Sequence, residues 1–292
     1  AVVYDNEGTK VELNGSLRLI LEKADAKKYD AVGNSTKTAN SALRNAGSRF
    51  GITVKHNLDN DFYALGRLES RFDDTESRDQ FGSLYAKRAY VGLGSKATGD
   101  ITFGRQLTIA DDLSQANDYE YGFIPKGKYI PTSGTGVVRY DYKGIEGLQL
   151  SANYNFGQRH NDKGRALTPG LKNAFGFGAL YTAGDLDARF AYGHTNLETN
   201  ATYKHRVDGF LASLGYKFGD FKLTGDFGYA HVKFDDAKTN KFYVSPGFAY
   251  QVTPASQVYG NYLYERVKGE ADKDKTHGFL LGADYKLHKQ VV

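Results

Sequence analysis

Apolar and polar side chains alternate with a period of two along nearly the whole chain, which leaves few folds open. Between Lys10 and Glu22, Val11, Leu13, Gly15, Leu17, Leu19 and Leu21 share one face. Glu12, Asn14, Ser16, Arg18 and Glu22 share the other, with Ile20 the exception. From Ser48 to Leu58, Phe50, Ile52, Val54 and Leu58 oppose Arg49, Thr53, Lys55 and Asn57. Leu148, Leu150, Ala152, Tyr154 and Phe156 oppose Gln149, Ser151, Asn153 and Asn155, and Phe279 to Leu287 repeats the pattern. Such alternation over eight to twelve residues means sheet with one apolar and one polar face. No segment shows a helical period.

The connections sort by length. Asp59-Asn60, Lys96 to Gly99, Lys143 to Gly147, Ala183 to Asp185 and Gly219-Asp220 are tight, turn-rich joints. Between them run longer polar segments: Lys23 to Gly47, Asp73 to Gly82, Gln106 to Thr135, Gly157 to Asn173 and Thr195 to His205. Short turns at one end and long loops at the other describe an outer-membrane barrel. The runs give fourteen strands, with a fifteenth starting at Gln290, in one domain spanning residues 1–292. A soluble β-sandwich would not sort its loops by length. Nor would it place Phe62, Tyr142, Tyr154, Phe156, Tyr181, Phe218 and Tyr250 at strand ends, where interfacial girdles lie.

Composition agrees. Mean hydropathy is −0.54, and no apolar run nears the length of a membrane helix. A barrel shows lipid only every second residue, so its average can look soluble. The 22 Tyr and 18 Phe exclude a disordered chain. The absence of Cys excludes a disulfide framework, a thiolate nucleophile and Cys-ligated zinc. A net charge of +4 is too balanced for a nucleic-acid partner. The opening AVVYDNEG has neither the charged nor the apolar stretch of a signal peptide, so it reads as a mature start.

Four segments in fixed order resemble the general bacterial porins, in particular the major outer-membrane porins of Haemophilus, Pasteurella and relatives. They are VYDNEGTKVELNGSLRL (Val3 to Leu19), RNAGSRFGITVKHNL (Arg44 to Leu58), DITFGRQLTIADD (Asp100 to Asp112) and GADYKLHKQV (Gly282 to Val291). The resemblance implies a sixteen-stranded, usually homotrimeric, water-filled channel for ions and small hydrophilic solutes. It would lie in outer-membrane lipid and lipopolysaccharide, with a long third loop folded inward. It also implies two further strands and a terminal aromatic residue beyond Val292, so the chain is expected to lack its C-terminal strands.

If the apolar face meets lipid, the polar face lines the pore. Arg18, Arg49, Lys55, Arg67, Glu69, Arg71, Arg88, Arg139, Asp141 and Arg189 all have that parity. The third long segment, Gln106 to Thr135, carries Asp111, Asp112, Asp118 and Glu120. In the resembling family, wall arginines face acidic residues of this loop. Arg49, Arg88 and Arg105 match that basic ladder, although parity from Ile101 and Phe103 sends Arg105 outward. Ser133 and Gly134 stand where the family often has a further arginine, so either Arg139 takes over part of that role or the basic side is weaker. Arg18 completes the expected basic side, and its excess over acids points to slight anion preference.

Catalytic readings fare worse. Asp111-Asp112 and Asp235-Asp236 are acidic pairs, and His231 lies near the second. A barrel hydrolase needs a base and its partner in hydrogen-bond reach, which this spacing does not specify. The seven histidines form no HxxxH pair, and Gly176-Phe177-Gly178 has no helix after it to make a phosphate loop. No cofactor, metal or catalytic residue is expected. A substrate-selective porin and an outer-membrane barrel hydrolase remain the alternatives to a general-diffusion pore.

Overall fold

Backbone pairing follows the alternation. The computed structural model describes residues 1–117, 123–199 and 202–292. They fall into two units, residues 1–56 with 65–89, and residues 57–64 with 90–292.

The first unit holds β1 (Val2–Asn6), β2 (Thr9–Ser16), β3 (Leu19–Tyr29), β4 (Ser35–Asn45) and β5 (Arg49–Asn57). It also contains most of β6 (Tyr63–Phe72) and the first half of β7 (Leu84–Ser95). The sheet order is β1-β2-β5-β6-β7, while β3 and β4 form a separate two-stranded sheet. The run read as one strand from Lys10 to Glu22 is therefore two. At Leu17-Arg18 the chain leaves the sheet. Ser48 ties off the junction: its Oγ accepts from the Arg18 amide at 2.9 Å and donates to the Arg18 carbonyl at 3.1 Å. The polar stretch from Lys23 to Gly47, expected as a loop, is mostly this hairpin. Its side chains are exposed on both faces, so pairing through the backbone leaves no period of two to read.

The second unit is a longer antiparallel meander. Its strands are β8 (Gly99–Leu107), β9 (Ser133–Ile145), β10 (Leu148–Asn155), β12 (Ala166–Ala183), β13 (Leu186–Leu197) and β14 (His205–Phe218). Then follow β15 (Phe221–Phe234), β16 (Ala237–Thr253), β17 (Ser256–Lys268) and β18 (Lys273–Tyr285). The short β11 (Gln158–His160) pairs with the start of β12, so part of the fourth expected loop is also hairpin. Without β1, β3, β4 and β11, fourteen strands remain among the described residues, as the alternation indicates. Residues 286–292 form no strand; a single bridge joins His288 to Val291.

The two faces of the second unit differ as expected. Leu150 is 41% and Leu281 63% exposed, whereas Ser151 between the flanking outward residues is 5% exposed. Tyr154, Phe156, Tyr181, Phe218 and Tyr250 are exposed at strand ends on the outward face. A charge there meets hydrocarbon, so Leu150→Arg is expected to destabilise the inserted barrel by about 2–4 kcal/mol if it lies near the midplane. Gln149→Arg, one residue away on the other face and beside Asp141, is expected to cost far less. Equilibrium unfolding from liposomes reads the difference, and equal costs on both faces would contradict the assignment.

Candidate functional site

The described parts of the connection from β8 to β9 pack back onto their own sheet. Its neck is closed by the Thr108 amide donating to the Thr132 carbonyl at 2.8 Å and the Thr108 hydroxyl donating to the Pro131 carbonyl at 2.6 Å. A single 3-10 turn, Ile109–Asp112, follows. Ile109, Ala110 and Leu113 from the outgoing limb, with Tyr129 and Ile130 from the return limb, are 5% exposed or less. They form one cluster with Ala191, Val207, Leu211, Ala230, Tyr243 and Leu263 on the inner face of β13 to β17.

Close approach depends on glycine. A Cβ on Gly178 would stand 2.9 Å from Ile109, and one on Gly193 2.6 Å from Ile130. On Gly209 it would lie 2.2 Å from the Tyr129 carbonyl oxygen. Non-bonded carbons prefer about 3.5–4.0 Å, so a larger residue at Gly193 or Gly209 displaces the loop unless the loop side chain facing it is shortened. The loop thus lies in a track of inward glycines on three successive strands.

Polar contacts lock the same seat. Asp226 on β15, 1% exposed, accepts from the Ser114 hydroxyl at 2.5 Å and the Gln115 amide at 3.1 Å. Ser213 donates to it at 2.6 Å. Arg189 on β13 donates to the carbonyls of Asp112 (2.7 Å) and Ser114 (3.2 Å) while Asp187 holds its other nitrogens at 2.9 Å. The Tyr129 hydroxyl donates to Glu265 on β17 at 2.8 Å, and its ring meets Tyr243 edge-on at 4.9 Å. Buried carboxylates that accept several hydrogen bonds are strong anchors because water cannot compete for them.

The expected site residues are distributed as follows. Arg139 donates to both oxygens of Asp141 at 3.0 Å and to the Leu107 carbonyl at 3.0 Å, so it braces the neck of the loop. Arg105 is directed at the Asp162 carbonyl, 3.4 Å away. The backbone there has a bulge between Gly104 and Gln106, which breaks simple parity. Asp111 pairs with Lys126 at 3.4 Å across the loop. Asp118 and Glu120 lie outside the described residues. In the first unit, Arg49 lies within electrostatic range of Arg71, Arg18, Arg88 and Glu69. Arg67 and Arg71 share Glu69, at 3.1 and 2.9 Å. Arg88 is 9% exposed and donates to its neighbour's carbonyl at 2.9 Å, and Arg18 leans on Ser16 at 3.0 Å. Arg49, Arg67 and Arg71 thus gather at Glu69, with Arg18 and Arg88 within electrostatic range of Arg49.

Asp112 is half-buried in the loop. Burial, reinforced by Asp111 and partly offset by Arg139, Arg189 and Lys126, pushes its carboxyl above the usual range. A seated loop therefore binds a proton more readily than a released one. Its seat strengthens as pH falls through the window between the raised value and the ordinary carboxylate value, and outside that window Asp112 adds no further pH dependence. Asp112→Asn is expected to abolish that component of a pH series of channel noise, whereas an unchanged series would contradict it.

Sequence reasoning missed Asp226, Asp187, Glu265, Tyr129 and the glycines. Inward parity on successive strands was the available signal: Gly178, Gly193 and Gly209 are too small to fill a pore wall unless something packs on them. Two of the histidines find partners on the outward face. His194 meets Asp208 at 2.6 Å with the Tyr192 hydroxyl on the same oxygen, and His231 meets Asn240 at 2.8 Å. Tyr-x-His thus occurs on both β13 and β15 as part of the aromatic girdle. His231 bonds Asn240, while Asp235 lies in the adjoining turn. No group of three or more potential metal ligands occurs among the described residues.

Amphipathic antiparallel strands with an aromatic-edged apolar face outside and a loop seated inside define a channel-type membrane barrel. A model of the Gram-negative porin family matches residues 4–292, and the chain belongs to that family, an outer-membrane β-barrel. It is 28% identical to the major outer membrane protein of Pasteurella multocida over 320 residues, covering all of this chain and 85% of that one. Its fold is similar to the trimer form of OmpT from Vibrio cholerae (TM-score 0.73, 17% identity, 97% and 86% of the two chains). It is also similar to the anion-selective porin of Comamonas acidovorans (TM-score 0.68, 19% identity, 96% and 85%).

Proposed function

We propose that the protein is a passive general-diffusion pore for ions and small hydrophilic solutes, built as a single barrel domain and narrowed by its third loop. The observation that carries this reading is the seat of Ile109, Ala110, Leu113, Tyr129 and Ile130 on the inner face: limbs buried against a wall of glycines cannot belong to a free external loop. Arg18, Arg49, Arg88, Arg105 and Arg139 supply the positive side of the constriction, and Asp111, Asp112, Asp118 and Glu120 the negative side. Opposed rows of charge across a narrow passage guide cations and anions along different walls, so both pass. The excess of arginine in the first unit supports a slight anion preference. The similar fold solved in trimer form supports a homotrimer, in contact with lipid and lipopolysaccharide. No step requires catalysis or a cofactor.

Planar-bilayer recording tests this reading. Open, ohmic channels that pass sugars as well as salt are expected; absence of conductance, or saturation by one solute class only, would contradict it. Neutralising Arg49 and Arg88 together is expected to move the low-salt reversal potential towards cation preference. Neutralising Asp118 and Glu120 is expected to move it the other way. Both shifts should shrink at 1 M salt, where the Debye length is about 3 Å. Unmoved potentials in both double variants would place the constriction elsewhere.

A further inference from the structure

Behind the return limb of the third loop lies a cavity of about 270 Å³. Tyr129, Ile130 and Pro131 form one side, Leu167 and Leu171 from β12 a second, and Leu197 and Val207 from β13 and β14 the third. Leu171, Val207, Ile130 and Tyr129 are all below 10% exposed, so the floor of the cavity is apolar, with Ser133, Gln158 and Thr195 adding polar groups to its lining. An apolar concavity of this size beside a water-filled path is costly to leave wetted, and such pockets with a few polar groups are the usual form of a small-molecule site.

Charge determines which small molecule. Lys128 is the one cation in the lining, and its ammonium has no acidic partner among the described residues. Lys241 brings a second ammonium close, donating to the Lys128 carbonyl at 3.1 Å and lying 5.7 Å from the Tyr129 ring centre. Glu265, which accepts from the Tyr129 hydroxyl, lies within electrostatic range of Lys241 and partly offsets its charge, whereas Lys128 has no such partner among the described residues. Positive charge at the rim thus rests on Lys128, over a floor of aliphatic side chains.

We propose that this cavity is a retention site for small amphiphilic carboxylates, with the apolar body against Leu171, Leu197 and Val207 and the carboxylate on Lys128. The inference deepens the pore reading, because an occupant would press on Tyr129 and Ile130 and so act on the loop that narrows the pore. It adds solute preference to a pore otherwise governed by size and charge.

Binding is read directly, by titration calorimetry on the folded porin in lipid nanodiscs, so that the answer does not depend on channel activity. The probe is 4-phenylbutyrate, with acetate and 4-phenyl-1-butanol as the charge-only and body-only controls. Saturable binding of 4-phenylbutyrate is expected, with both controls weaker. Lys128→Gln should weaken it about tenfold through loss of one charge-assisted contact, and Lys128→Arg should restore it. Val207→Asn tests the apolar wall independently and should weaken 4-phenylbutyrate and the alcohol together. Binding no tighter than acetate, or indifferent to both Lys128→Gln and Val207→Asn, would overturn the proposal. In bilayers the same probe should interrupt open channels more often than acetate does. Open channels that bind no probe would refute this site while leaving the pore reading intact.

Discussion

Replacing Gly209 by valine is expected to yield a wider, noisier channel from a barrel that still folds. The new side chain would point at the Tyr129 carbonyl and at Ile130, both on the loop, with nothing on the flanking strands as its nearest contacts. Overpacking of this kind costs about 1–3 kcal/mol. A cost of about 1–3 kcal/mol moves a two-state balance by roughly 5–150-fold, here from the seated loop towards the released one. Single-channel conductance and the size cut-off for sugars should both rise. Gly225→Ala is the matched control, since a Cβ there meets Phe227 at an ordinary 3.4 Å. Unchanged conductance in Gly209→Val would show that the seat does not set the aperture.

Asp226→Ala is expected to unlatch the loop from the other side. The substitution leaves the Ser114 hydroxyl, the Gln115 amide and Ser213 without their shared acceptor. Hydrogen bonds to a charged group contribute about 1.5–3 kcal/mol each, and the first one lost here is not replaced by water while the apolar cluster stays closed. The barrel's heat resistance should change little, because two of the three bonds run to the loop. Current fluctuations at low voltage should increase, and the voltage at which channels close should fall. Ser114→Ala removes one donor only and should produce a smaller change in the same direction. Equal behaviour of Asp226→Ala and the wild-type channel would remove the latch from the account.

The fold was legible where packing on two different media imposes a period of two. Leu148 to Phe156 and Phe279 to Tyr285 pair as strands with apolar residues outward, because water lies on one side and hydrocarbon on the other. It was not legible from Lys23 to Gly47, where both faces of the β3–β4 hairpin meet water and only backbone pairing selects the strand. The site divides in the same way. Arg139 and Asp111 were visible as charges with a parity or a loop position. The parts that hold the loop were not, because a buried acid such as Asp226 resembles any lumenal acid until Ser114, more than a hundred residues away, is folded onto it. Gly193 and Gly209 acquire meaning only from the residue that fills the space they leave. Resemblance supplied the inward loop but not the strands to which it is fastened.

On this geometry the third loop stays on the inner face of β13 and β14 while the channel conducts. The protein has no cysteine, so a paired substitution gives an unambiguous reading. A Cβ on Gly193 lies 3.4 Å from the Cβ of Ile130, at the short edge of the roughly 3.5–4.5 Å that a disulfide spans. In Gly193→Cys with Ile130→Cys, near-complete oxidation of membrane-inserted protein is expected, with a single-channel conductance equal to that of the wild type. Failure to cross-link in the folded channel, or a cross-link that changes the conductance of the open pore, would contradict it.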